Sequence, residues 1–133
     1  MKVLTLREPW ASLIGKQIKT IETRSWPTSY RGGLYIHAGL AKVPTKDERI
    51  KRLSSYLDGK PFMYGMIIAK CNLTDCVYID EEFAAKTSKE NPLNYECGDY
   101  TVGRYAWILK DIEYIAPIPA VGRLSIWNYN LEN

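Results

Sequence analysis

Hydrophobic and polar positions change period often along this chain, and no periodic segment is long. Lys2–Leu6 alternates, with Val3 and Thr5 on one face and Leu4 and Leu6 on the other, which predicts a strand. Pro9 then opens a short helix in which Trp10, Leu13 and Ile14 recur at helical spacing up to Gly15. Residues 20–24 are rich in β-branched side chains and stop before Pro27, a second strand. After the Arg31-Gly32-Gly33 turn, residues 34–38 form a third, with Leu34 and Ile36 opposite Tyr35 and His37. Thr45 and Glu48 have capping-box spacing and precede Ile50, Leu53 and Leu57, a helix that ends at Gly59-Lys60-Pro61. Residues 64–72 read as a central strand, which 77–79 continues or pairs. Asp80 caps a short helix through Lys86, and Asn91-Pro92 breaks the chain. Strands are expected at 105–109 and 113–115, a rigid Pro117-Ile118-Pro119 connector after them, and a closing strand at 123–127.

About seven strands and three short helices without βαβ alternation predict an α+β fold, a small mixed β-barrel with short flanking helices. The 133 residues suit a single domain spanning 1–133. No apolar run approaches a membrane span or an export signal, so a cytoplasmic protein with reduced Cys71, Cys76 and Cys97 is expected. The lone His37 excludes metal sites that need two histidines from one chain, and no cofactor is expected.

Charge changes the picture. Residues 1–60 hold 12 Lys/Arg against 5 Asp/Glu, whereas residues 61–133 hold 6 against 10. That asymmetry fits either an anionic partner such as nucleic acid or simply a solvated helix around Lys46–Arg52. Candidate chemistry is densest at Lys19–Trp26. On a strand Glu22 and Arg24 point the same way, and a carboxylate beside a guanidinium can pair with the edge of one planar nucleobase. A plain ion pair on a barrel wall is the other reading. Trp10, Trp26 and Tyr105 are candidate stacking platforms or core residues. His37 either lines a cleft or is a satisfied structural histidine.

Glu8-Pro9-Trp10-Ala11, Lys19-x-x-Glu22-x-Arg24-x-Trp26, Gly33-Leu34-Tyr35-Ile36-His37-Ala38, Tyr105-Ala106-Trp107 and Pro117-x-Pro119-x-x-Gly122-x-Leu124-x-Ile126-Trp127 together resemble the ASCH (activating signal cointegrator homology) family. The resemblance implies a PUA-like barrel with a cleft, and a role in recognising RNA or a modified nucleoside. It matches the family signature G-x-K-x-x-E-x-R at Lys19, Glu22 and Arg24, with Gln17 in place of the glycine. A different path of the loop before Lys19 is therefore expected.

The site implied is a cleft in which Lys19, Glu22, Arg24, Trp26, Trp10, His37 and Tyr105 contact the ligand. The alternative is an enzyme on the same cleft, an amidohydrolase of N4-acetylcytidine-type nucleosides or a ribonuclease, with Lys19 and Glu22 catalytic. Hydrolytic relatives carry threonine where this chain has Glu22, so Lys19 is expected to anchor rather than attack. The expected partner is RNA or a modified nucleoside, with a protein partner also open and no membrane.

Overall fold

A computed structural model describes residues 1–130; the last three residues of the expected domain lie outside the described part. Six strands form one mixed sheet: β1 (Lys2–Leu6), β2 (Ile21–Arg24), β3 (Gly32–Ala38), β4 (Met66–Tyr78), β5 (Tyr105–Pro119) and β6 (Ile126–Asn128). Their order is β2-β5-β4-β3-β1-β6, with β1 parallel to β3 and the other pairs antiparallel. The sheet curls into a half-barrel. Three strands separate β2 from β1 in the order, yet Arg24 Nη2 donates to the Thr5 carbonyl at 3.1 Å.

Among the described residues four short α-helices accompany the sheet, α1 (Trp10–Gly15), α2 (Glu48–Ser54), α3 (Glu81–Glu90) and α4 (Pro92–Cys97), with a 3-10 turn at Ser55–Leu57. Leu4, Leu6, Leu34 and Ile36 point into the main core with Ile14, Ile68, Trp107 and Leu109. Val3, on the other face of β1, packs with Ile67 and Trp127 in a smaller cluster. The alternation in β1 therefore reflects two buried faces, as a strand inside a curled sheet requires. Among the described residues no helix is long and apolar enough to cross a membrane.

The structure corrects four expectations about elements. There are six strands among the described residues rather than seven, because 66–78 and 105–119 each run unbroken and take in the segments expected separately. Pro117 and Pro119 lie inside β5 and not in a connector. β2 pairs only with residues 105–108, so one edge of β5 lacks that partner beyond this point and tolerates residues without an N–H. α2 is capped by Asp47, whose side chain accepts from Ile50 N at 3.0 Å, and not by a Thr45–Glu48 box. Finally, the Asn91-Pro92 break separates two helices. α3 runs four residues past Lys86, and Pro92 opens α4, where its missing N–H costs nothing.

Candidate functional site

Lys19 reaches its place through the turn after α1. The backbone N–H groups of Ile18 and Lys19 both donate to Leu13 O, and Gln17 N donates to Ile14 O. Gln17 stands at φ 63°, the left-handed region that glycine enters without penalty. The turn thus has the backbone that the signature glycine suits, and glutamine adopts it. The Lys19 side chain then turns inward and is fully buried.

Next, β2 is fixed at both ends of its first residues. Asn94, buried in α4, accepts from Thr20 N at 2.8 Å and Ile21 N at 3.3 Å, while its amide donates to Thr20 Oγ1. On its other side β2 pairs with β5, placing Glu22 opposite Trp107 and Arg24 opposite Tyr105.

The result is a buried ion triad. Lys19 Nζ donates to the Ile21 carbonyl and lies 3.1 Å from Glu22 Oε1. Arg24 Nε donates to Glu22 Oε2 at 2.9 Å. Each Glu22 oxygen therefore serves one internal cation and keeps a second lone pair. Arg24 spends two of its five N–H donors, on Glu22 and Thr5, which leaves three free for a ligand. Its guanidinium also sits 5.2 Å from the Trp26 ring and 5.9 Å from the Trp107 ring. Trp26 meets Trp107 edge-on at 6.5 Å, and Trp107 Nε1 donates to Trp26 O.

The triad borders a cleft of about 370 Å³ that Trp10 and Trp26 also line. Five cationic side chains (Arg7, Lys19, Arg24, Arg49 and Arg104) face two carboxylates (Glu22 and Asp99), a formal charge of +3. Arg49 lies over the Trp10 ring at 5.7 Å and donates to the carbonyls of Glu96 and Gly98, so α2 is tied to the end of α4 across the cleft. Arg104 donates to the carbonyls of Asp99 and Thr23. The Asp99 carboxyl is held below its usual range, first by the Thr101 hydroxyl and also by Arg104. Cys97 sits buried at the cleft, and burial raises its thiol pKa, which keeps it neutral and of low reactivity.

Of the sequence-predicted site residues, Lys19, Glu22, Arg24, Trp26 and Trp10 come together at this cleft. His37 and Tyr105 are not among its lining residues. His37 is buried on the opposite face of β3, hydrogen-bonded to Thr5 Oγ1 at 3.1 Å and Ala120 O at 2.8 Å, with Trp127 edge-on. Tyr105 packs edge-on against Tyr78. Sequence reasoning missed Arg7, Arg49, Asp99, Arg104 and the clamp Asn94. Arg49 belongs to the basic run around Lys46–Arg52, which fits an anionic partner and a solvated helix equally and singles out no residue. Asp99-x-Thr101 carries an aspartate-turn signal, seen here as Thr101 N and Oγ1 donating to Asp99 Oδ1. Nothing in the sequence singles out Asn94.

A curled mixed sheet with a cationic, tryptophan-lined cleft at its β2 edge defines a small domain of the half-barrel type. The family model for the ASCH domain matches residues 4–119, and the chain belongs to the ASCH domain family. It is 37% identical over 128 residues to human (Homo sapiens) activating signal cointegrator 1, a match covering 93% of this chain and 21% of that protein. The mouse (Mus musculus) protein of that name is 35% identical over 82 residues, 56% of this chain and 14% of its own length. The chain thus spans about a fifth or less of these relatives. The crystal structure of an ASCH protein from Zymomonas mobilis superposes with a TM-score of 0.60 at 18% identity, covering 98% of this chain and 88% of that one. A tyrosine-to-phenylalanine mutant of the Zymomonas mobilis protein gives a TM-score of 0.53 at 20% identity, over 89% and 74%. At these identities the two structures establish the fold.

Proposed function

We propose that this domain binds RNA or a modified nucleoside by taking one base into the cleft. The observation that carries the reading is the Glu22–Arg24 pair at the cleft, flanked by a tryptophan that is 41% exposed, Trp26. The spare lone pairs of Glu22 accept N–H groups, and the spare donors of Arg24 meet a carbonyl beside them. Base edges that present N–H next to C=O satisfy both. Trp26 and Trp10 offer π-faces for stacking, which is how proteins hold bases splayed from a single strand.

Lys19 anchors the site from inside and does not reach phosphate in this reading. Fully buried and engaged with Glu22 and Ile21 O, it braces the Glu22 carboxylate, and phosphate falls to the exposed Arg7 and Arg49 and the half-buried Arg104. The same burial favours a binder over a lysine-nucleophile enzyme, because both groups that hold the ammonium are internal.

The test is the salt dependence of binding to a fluorescently labelled single-stranded RNA hexamer. Each lost phosphate contact lowers the slope of log K against log salt by about 0.7. Arg7→Ser is expected to flatten the slope by about that amount. Binding that is insensitive to salt, or an unchanged slope in a folded Arg7→Ser variant, overturns the phosphate assignment.

A further inference from the structure

Next to the cleft lies a feature that one bound base does not use. The segment 121–125 carries Val121 and Leu124, 76% and 93% exposed, with Arg123 exposed between them. Ser125, at φ 55°, turns the chain into β6. Arg123, Leu124 and Ser125 line a second, open cavity together with Thr5, Arg24 and Trp26. Its volume, about 380 Å³, matches the 370 Å³ of the cleft. Arg24 and Trp26 line both cavities and so form the wall between them.

A leucine at 93% exposure contributes almost nothing to the stability of its own chain, since stabilisation follows the apolar area removed from water. Here it stands with an arginine beside it, at a cavity that a tryptophan also lines. The two cavities share an aromatic–cationic wall and each is lined by at least one further arginine, an arrangement suited to consecutive nucleotides of one strand. We propose that the second cavity seats the nucleotide next to the one in the cleft, its base against Trp26 and Leu124 and its phosphate at Arg123. The ligand is then a stretch of single-stranded RNA and not a free nucleoside. This rests on the reading of the cleft given above and extends it to a polymer.

The experiment compares two probes, the labelled RNA hexamer and the four nucleoside 5′-monophosphates, on wild-type protein, Leu124→Ser and Arg123→Ser. Both side chains are exposed, and unchanged thermal melts verify that the variants fold. Stacking is worth on the order of 1–3 kcal/mol per base, so the hexamer is expected to bind about tenfold or more tighter than the best mononucleotide. Leu124→Ser then weakens the hexamer about fivefold, through the apolar contact it removes. Arg123→Ser flattens its salt slope by about 0.7. Both variants leave mononucleotide binding unchanged. If the mononucleotide binds as tightly as the hexamer, or both variants hold the hexamer as wild type does, the second subsite is wrong and the cleft reading stands. If wild-type protein binds neither probe, the cleft reading fails and the second subsite with it.

Discussion

Replacing Glu22 by glutamine removes the carboxylate from a site that holds two cations. Glu22 is 8% exposed; the side chains of Lys19 and Arg24 are 1% and 16% exposed. Glutamine fits the space but turns an amide N–H₂ toward one of the cations and leaves a buried ammonium without its counter-charge. Breaking a buried pair by removing one partner costs about 3–5 kcal/mol. The partial exposure of Arg24 lets water take up some of that, so the expected loss is about 3 kcal/mol. For a domain of this size that lowers Tm by roughly 10 °C. Urea unfolding followed by circular dichroism should show the midpoint falling by roughly 1.5–3 M with an unchanged slope.

Lys19→Met is the matching control. It removes the buried ammonium and keeps the Glu22–Arg24 bond, so alone it should cost less than Glu22→Gln. In the double variant the two losses should fall short of their sum by about 1 kcal/mol or more, the signature of groups in direct contact. Strict additivity, or a Glu22→Gln protein within about 0.5 kcal/mol of wild type, would refute the claim that the triad is a desolvated unit.

Three further outcomes are expected. Gln17→Gly relieves a left-handed backbone that costs an ordinary residue roughly 1–2 kcal/mol, offset by about 0.4–1 kcal/mol of unfolded-state entropy, so a net gain near 0.5 kcal/mol should appear in urea unfolding. Burial lowers the His37 pKa below its ordinary value, with the Ala120 carbonyl opposing. The unfolded chain therefore binds the proton more readily, and stability is full above about pH 6.5 and falls as pH drops below it toward the lower native pKa. As His37 is the chain's single histidine, thermal melts of His37→Asn should lack this step. Finally, incubation with N4-acetylcytidine or with the RNA hexamer should leave both intact by mass spectrometry; turnover lost in a folded Lys19→Ala variant would make the domain a hydrolase.

The legible part of the fold was the part written in local pattern. The alternation of Val3–Leu6 and of Leu34–His37, the apolar run at 64–72 and the Asp80 cap all reappear in elements, the run two residues later at its start. The misses have local causes. Pro117 and Pro119 read as a connector because their tolerance depends on β2 being only four residues long, a tertiary fact. The six residues of α4 are too few to display a helical period. At the site, period-2 reasoning rightly put Glu22 and Arg24 on one face, because their chemistry is adjacent in sequence. Asn94, Arg49 and Arg104 arrive from 27 to 82 residues away in the chain, through α4, α2 and the start of β5. Their roles rest on carbonyls and amides of other segments, which no residue pattern shows. Gln17 departs from the signature in type, and its φ of 63° is a backbone that glycine enters freely.

The central claim, that the Trp26 and Trp10 cleft receives a base, is tested most directly by the four indole N–H signals in a ¹⁵N–¹H spectrum titrated with the RNA hexamer. Trp26 and Trp10 line the cleft, the buried Trp107 lies behind Trp26, and Trp127 sits on the far face of β1 beside His37. Saturable shifts are expected, largest for Trp26 and Trp10, intermediate for Trp107 and smallest for Trp127. Saturable binding that leaves Trp26 and Trp10 unmoved would contradict the claim.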